Sequence, residues 1–195
     1  MPFALDATAR RALYLLISRL FREEVDAPLY RRLLATQSDA LLWIEPEIAN
    51  LPDQVAIEVL ETEYCRLFVG PNPVCPPFAS VARGEALLGG RARTEIDELL
   101  ASRGLRMDAR ARIASPDHVA VVFAVLAELS DADPARSRLH DFALPWVPSW
   151  LSRLEHETER SLFRTLARVA RALIDEEQAL CFHDLQGPTS QGANQ

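Results

Sequence analysis

The sequence predicts an all-α fold, a single-domain helical bundle carrying one long proline-rich loop. Three observations lead there. Apolar residues recur at i, i+3, i+4 and i+7 in several long stretches, the spacing of one helix face. No stretch alternates apolar and polar residues as a half-buried strand does. Four prolines between Pro71 and Pro77 interrupt the helical pattern and demand a rigid, extended segment. A chain of 195 residues buries about 70% of its unfolded surface, enough to hold one core without metal or disulfide.

The elements follow in order. Leu13, Leu16, Ile17, Leu20 and Phe21 form the first stripe, with Asp6 or Thr8 as cap and a stop around Asp26-Ala27-Pro28. Shorter helices are expected over 29–35 and 38–48. Pro52 then opens a helix whose stripe is Ile57, Leu60, Tyr64, Leu67 and Phe68, closed by Gly70-Pro71. After the proline loop, Thr94 and Asp97 read as a cap for a helix through Ile96, Leu99 and Leu100 that ends at Gly104. Ser115-Pro116-Asp117 reads as the start of a helix lined by Val119, Val122, Phe123, Leu126 and Leu129. One more helix is expected between Pro134 and Pro145. The segment Pro145 to Trp150 is a bend leading into another helix, and a last long helix is expected over about 155–180, whose Arg160, Arg164, Arg168 and Arg171 read as a solvated face. The domain is expected to span 1–185, and the polar stretch 186–195 to be a disordered tail.

Charge and cysteine usage narrow the function classes. The net charge of −7 excludes the basic surface that phosphate backbones require, so no nucleic-acid partner is expected. All 21 basic residues are arginine, which codon usage explains sufficiently. Cys65, Cys75 and Cys181 are an odd set without a pairing framework, the usage of a reducing compartment. Arg10-Arg11 before an apolar run superficially suggests an export signal, but Arg19, Arg22 and Glu23 interrupt that run and no cleavage site follows. No stretch reaches the ~20 apolar residues of a membrane helix. A cytoplasmic protein without stable membrane insertion is expected.

Signatures of catalysis are missing. There is no phosphate-cradling glycine loop, nucleophile elbow, paired-histidine zinc site or C-x-x-C. No cofactor and no metal are expected; Cys65, Cys75 and His118 lack any ligand spacing. The rival reading is a thiol enzyme using Cys75 or Cys65 with His118 as base, Cys75 being the more accessible and Cys65 a small hydrophobe inside its helix. A third is a structural helical subunit of a larger complex.

Three stretches stand out together: Tyr64-Cys65-Arg66-Leu67-Phe68-Val69-Gly70-Pro71, then Pro76-Pro77-Phe78-Ala79-Ser80-Val81, then Ser115-Pro116-Asp117-His118. In order and spacing they resemble the TorD/DmsD/NarJ redox-enzyme maturation chaperones, closer to the TorD/DmsD branch. The late Trp146-Val147-Pro148 bend extends the likeness over the length of the chain. The resemblance implies an all-helical protein without turnover, a monomer or homodimer. Its partner would be the catalytic subunit of a molybdoenzyme, held through its twin-arginine signal peptide and in some relatives through the mature part. It also implies a peptide site at Tyr64, Leu67, Phe68, Pro76, Pro77, Phe78, Ser80, Pro116, Asp117 and His118.

The chemistry of those residues suits such a ligand. An arginine pair joined to an apolar helix-forming segment needs an aromatic and aliphatic groove beside hydrogen-bond acceptors. Tyr64, Leu67, Phe68 and Phe78 would supply the groove, the prolines its wall, and Asp117 and neutral His118 the acceptors. Leu67 and Phe68 suit a core equally well, and Asp117 suits a helix dipole. Acids and an aromatic that relatives often carry nearby are Ala79, Ala82, Val122 and Ala124 here, leaving Glu63, Glu85 and Glu128 to replace them.

Overall fold

The structure is a computed structural model that describes residues 6–35, 46–107 and 115–185. They form helices α1 (Ala7–Arg22), α2 (Ala27–Ala35), α3 (Pro46–Ala49), α4 (Asp53–Tyr64), α5 (Ala79–Ala82), α6 (Gly90–Ser102), α7 (Val119–Glu128), α8 (Pro134–Ala143), α9 (Val147–Glu157) and α10 (Ser161–Leu185). A π-helical turn, Cys65–Val69, extends α4. The fold is all-α, with no strand among the described residues. The expected helix over 38–48 falls largely outside those residues, as does the stretch 186–195.

Helix α7 is the centre of the bundle. Eight of its ten residues are buried, far more than one stripe. A helix that is apolar all round must be covered on every side. The largest share of that cover is α1, which buries Tyr14, Ile17, Ser18, Leu20 and Phe21 and bonds Ser18 Oγ to the Ala120 carbonyl at 2.8 Å. Leu13 and Leu16 of the expected stripe are only half-buried, so the inward face is rotated towards Tyr14 and Ser18. Phe21, Phe68, Trp150, Tyr64 and Phe163 meet in edge-to-face contacts, with Phe21–Trp150 at 5.1 Å and Tyr64–Phe68 at 5.0 Å between centroids. This aromatic cluster joins α1, α4, α9 and α10.

The start of the last long helix differs from the sequence reading: α10 begins at Ser161 rather than about 155, parted from α9 at Thr158, whose backbone is extended. The buried Glu63 explains the break: its Oε1 accepts from Thr158 Oγ at 3.0 Å and from the Glu159 N–H at 2.8 Å, while Arg66 clasps the same carboxylate. These bonds outweigh burial and hold the Glu63 carboxyl below its ordinary range. The arginines of α10 lie at the surface as expected, Arg168 with 62% of its side chain exposed, and each is also bonded there. Arg164 donates to the Thr158 carbonyl, Arg168 pairs with Glu155, and Arg171 reaches the Pro148 carbonyl and Ser152.

Further along α10, a buried polar cluster locks three helices. Glu177 accepts from Tyr14 Oη, from Arg136 Nε and Nη2 at 2.7 Å each, and faces His140 Nε2 at 3.4 Å. All four side chains are buried. Desolvation alone would raise the Glu177 carboxyl, but the bonds from His140, Arg136 and Tyr14 hold it down at about 2.

Candidate functional site

The site is built where the proline loop meets the start of α7. The chain leaves α4 through the π-turn, in which the Gly70 N–H reaches the Cys65 carbonyl at 2.7 Å. A Cβ at Gly70 would lie 2.9 Å from that oxygen, so glycine is required for the close approach. The loop then folds back on the turn it left: Val74 and Cys75 donate to the Arg66 and Leu67 carbonyls, and Trp150 Nε1 donates to the Cys75 carbonyl. The loop is therefore rigid by hydrogen bonding as well as by proline.

Beyond it, Phe78 and His118 form an isolated antiparallel bridge, with Val119 N–H to the Pro77 carbonyl at 2.8 Å and Ala79 N–H to the Asp117 carbonyl at 3.0 Å. This pairing corrects the expected helix start. Ser115-Pro116-Asp117 is a turn, and His118 is the cap, its Nδ1 accepting from the Ala120 N–H at 3.0 Å. That bond leaves the proton of the neutral ring on Nε2. Burial pushes the His118 pKa down to about 4, so the ring is neutral near pH 7. The Phe78 ring meets it edge-on at 5.0 Å.

Asp117 sits underneath, fully buried. Its Oδ2 accepts from the Ser80 N–H at 2.9 Å and from Ser80 Oγ at 2.6 Å, and Ser80 Oγ in turn accepts from the Gly89 N–H at 2.9 Å. Asp117 Oδ1 and the buried Ser115 Oγ have no hydrogen-bond partner among the described residues. Gly89 lies against Ser115, with a left-handed backbone (φ 86°) and 2.9 Å between its would-be Cβ and Ser115 Oγ, so no other residue fits. The loop from Arg83 to Gly89 thus returns to Ser80 and carries Leu87 and Leu88 outward, 74% and 55% exposed, beside the exposed Val81.

The ten residues singled out in the sequence divide into two groups. Pro76, Pro77, Phe78, Ser80, Pro116, Asp117 and His118 converge at this junction; Pro76, Phe78 and Pro116 keep part of their surface. Tyr64, Leu67 and Phe68 are core residues, at most 3% exposed, so the expected open groove along them is not there. The reason is the π-turn, which brings Leu67 and Phe68 inward against Trp150 and Phe163. Leu87 and Leu88 are missed by periodicity, because an apolar pair in a glycine-flanked loop belongs to no helix stripe.

The substitute acids are also placed. Glu63 is consumed by Arg66 and the α9–α10 break, and Glu85 caps α6, accepting from the Arg91 and Ala92 N–H groups. That cap also moves the start of α6 to Gly90, ahead of the expected Thr94; Asp97 instead pairs with Arg93. Glu128 stands at the far end of α7.

The two cysteines reverse their expected roles. Cys75 is buried and its thiol pushed up to about 11 by desolvation, while Cys65 is exposed and donates to Glu24, which with burial raises its pKa too. Neither bonds to His118, whose Nδ1 is occupied as a cap, so the geometry supplies no thiolate and no base beside one. Among the described residues no three metal-ligating side chains converge, and no helix is long and apolar enough to cross a membrane.

Comparison with known proteins agrees with this architecture. The model of the family described as nitrate reductase delta subunit matches residues 22–152. A chaperone protein TorD of Shewanella piezotolerans is 28% identical over 87% of this chain and 90% of its own. The chaperone protein TorD of Shewanella oneidensis is 27% identical over 88% and 90%. The crystal structure of a putative redox enzyme maturation protein from Archaeoglobus fulgidus superposes with a TM-score of 0.61 at 21% identity, covering 89% of this chain and 98% of that one.

Proposed function

The chain belongs to the nitrate reductase delta subunit family, the family of the TorD chaperones, and is a redox-enzyme maturation chaperone rather than an enzyme; on that premise we propose that it binds the catalytic subunit of a molybdenum-containing oxidoreductase. In this reading it engages the client's signal peptide, its apo form, or both. It assists cofactor insertion and holds back twin-arginine export until insertion is complete, acting in the cytoplasm with no cofactor of its own.

The observation that carries this reading is an apolar rim around a buried acceptor. Val81, Leu87 and Leu88 are exposed around Ser80, and its partner Asp117 keeps Oδ1 without a hydrogen bond. Contiguous exposed apolar side chains on a monomeric surface mark interaction sites. A buried carboxylate oxygen without a donor suits an incoming N–H group. Pro76, Phe78 and Pro116 extend the rim, Pro77, Ser80 and His118 set its shape, and Tyr64, Leu67 and Phe68 stay in the core.

Calorimetry against a panel of twin-arginine signal peptides tests the reading. Preference for one peptide over its Arg→Ala control is the expected result, and Leu87→Ser should weaken that binding by more than ~1 kcal/mol, as loss of an interface anchor does. Equal binding of peptide and control would remove the signal-peptide part and leave binding of the mature subunit.

A further inference from the structure

Arg10-Arg11, which looked like an export signal in the sequence, has a definite place in the fold. Arg11 donates from Nε to the Ala127 carbonyl at 3.0 Å and from Nη2 to Glu128 at 2.8 Å. Arg10 reaches both carboxylate oxygens of Asp131, at 3.3 and 3.4 Å. An arginine pair therefore already lies on the C-terminal edge of α7, where the last carbonyls lack helical partners and the helix dipole is negative.

A cavity of about 410 Å³ opens at this edge, lined by Arg10, Arg11, Tyr14, Glu128, Asp131 and Arg136. That volume lies within the roughly 300–1,000 Å³ of small-ligand sites. A second cavity, about 160 Å³ and mainly apolar, runs alongside α7 past Leu100, Leu105, Val121 and Val125. Glu128 lines both. The order along the surface is thus guanidinium acceptors first, then an apolar wall.

We infer that the C-terminal edge of α7 is a subsite for the arginine pair of a client peptide, which Arg10 and Arg11 occupy in the free chaperone. This rests on the reading above that the client segment carries such a pair. Arg136 binds Glu177 at 2.7 Å and reaches Asp131 only at 3.4 Å, so displacement of Arg10 and Arg11 leaves Glu128, the Ala127 carbonyl and the outer part of Asp131 as acceptors. Displacement of Arg11 is easy, because the Arg11 and Glu128 side chains are 53% and 47% exposed; Arg10 is only 15% exposed, but its contacts to the exposed Asp131 are long. The apolar segment following the pair would lie in the adjoining cavity, towards the junction. Ten helical residues separate the subsite from His118, about 15 Å. Client and chaperone arginines compete, so a weakly matched peptide fails to dislodge the internal pair.

The test is calorimetry on the full chain with a synthetic peptide carrying Arg-Arg before an apolar helix-forming segment, and with Lys-Lys and Ala-Ala versions. Arg11→Ala should tighten the Arg-Arg peptide about two- to fivefold, and Glu128→Gln should weaken it roughly tenfold. Neither should move the Ala-Ala peptide, and Lys-Lys should gain less because it cannot bind bidentately. The double variant should bind like Glu128→Gln alone. A wild-type preference for Arg-Arg that survives both substitutions unchanged would overturn the subsite and leave the proposed function standing. Indifference of wild type and Arg11→Ala alike to the pair would overturn the subsite together with the signal-peptide part of the proposed function. Thermal melts should show every variant folded, since the pair is exposed.

Discussion

Two buried polar clusters sit at opposite ends of this chaperone, and they are built for different ends. At the Glu177 cluster the carboxylate is saturated by Tyr14, Arg136 and His140, and the surrounding helices close over it. At the junction, Asp117 uses one oxygen on Ser80 and leaves the other without a donor, directly behind an exposed apolar rim. A saturated buried carboxylate rigidifies, even though His140 Nδ1 has no partner among the described residues; a carboxylate with one oxygen open holds an acceptor in reserve. The first is a clamp, and the second belongs to the surface proposed for recognition.

The comparison breaks most visibly at the clamp. Glu177→Ala leaves the Arg136 charge buried and alone, and should cost about 3–5 kcal/mol in urea unfolding. Replacing both partners by apolar residues, Arg136→Met with Glu177→Met, should recover much of that loss. Where the clamp variants fold, their affinity for a peptide without the arginine pair should equal the wild type's. Altered affinity at unchanged fold would erase the distinction.

Acid should reach the two regions in sequence. An unfolded histidine protonates near pH 6.5, but His118 only near pH 4, so the unfolded state holds the extra proton between these values. Stability contributed by neutral His118 is therefore complete above pH 6.5 and declines towards pH 4, by about 3 kcal/mol in all. Glu177 is depressed from 4.5 to about 2, so its contribution is complete above pH 4.5 and declines only below it. His118→Asn keeps a capping acceptor without titrating, and should flatten the upper window while leaving the lower one intact.

Smaller effects sharpen the junction. Asp117→Ala strips the Ser80 hydroxyl and N–H of their acceptor and should cost about 1–3 kcal/mol, with loss of peptide binding. Leu87→Ser should change stability by less than ~0.5 kcal/mol, as exposed positions do. Its effect should appear only in peptide affinity.

Much of the fold was legible because helices announce themselves locally. The caps Asp6 and Asp133, the Pro134 start and the proline loop follow from neighbouring residues alone. What escaped depended on distant partners. The α9–α10 break is imposed by Glu63, nearly a hundred residues away, and nothing around Thr158 signals it. The start of α7 moved from Ser115 to His118 because Asp117 was needed at Ser80, a pairing across 37 positions. The three-stretch pattern identified which loops converge, but not which of their side chains face out. Tyr64, Leu67 and Phe68 share a helix with the pattern yet lie in the core, while Leu87 and Leu88 lie outside it and are exposed.

The π-helical turn after α4 has a consequence for how this protein can change. A widened turn accommodates one residue more than regular helix would, and each residue of helix rotates the chain by about 100°. Deleting a single position within 65–69 would convert the turn to ordinary helix and leave the exit of the loop nearly where it is, because the shorter α-turn and the longer π-turn rotate the chain by about the same angle. The turn therefore holds a spare residue: one deletion there should re-aim the proline loop little, whereas one insertion should turn it by about 100°.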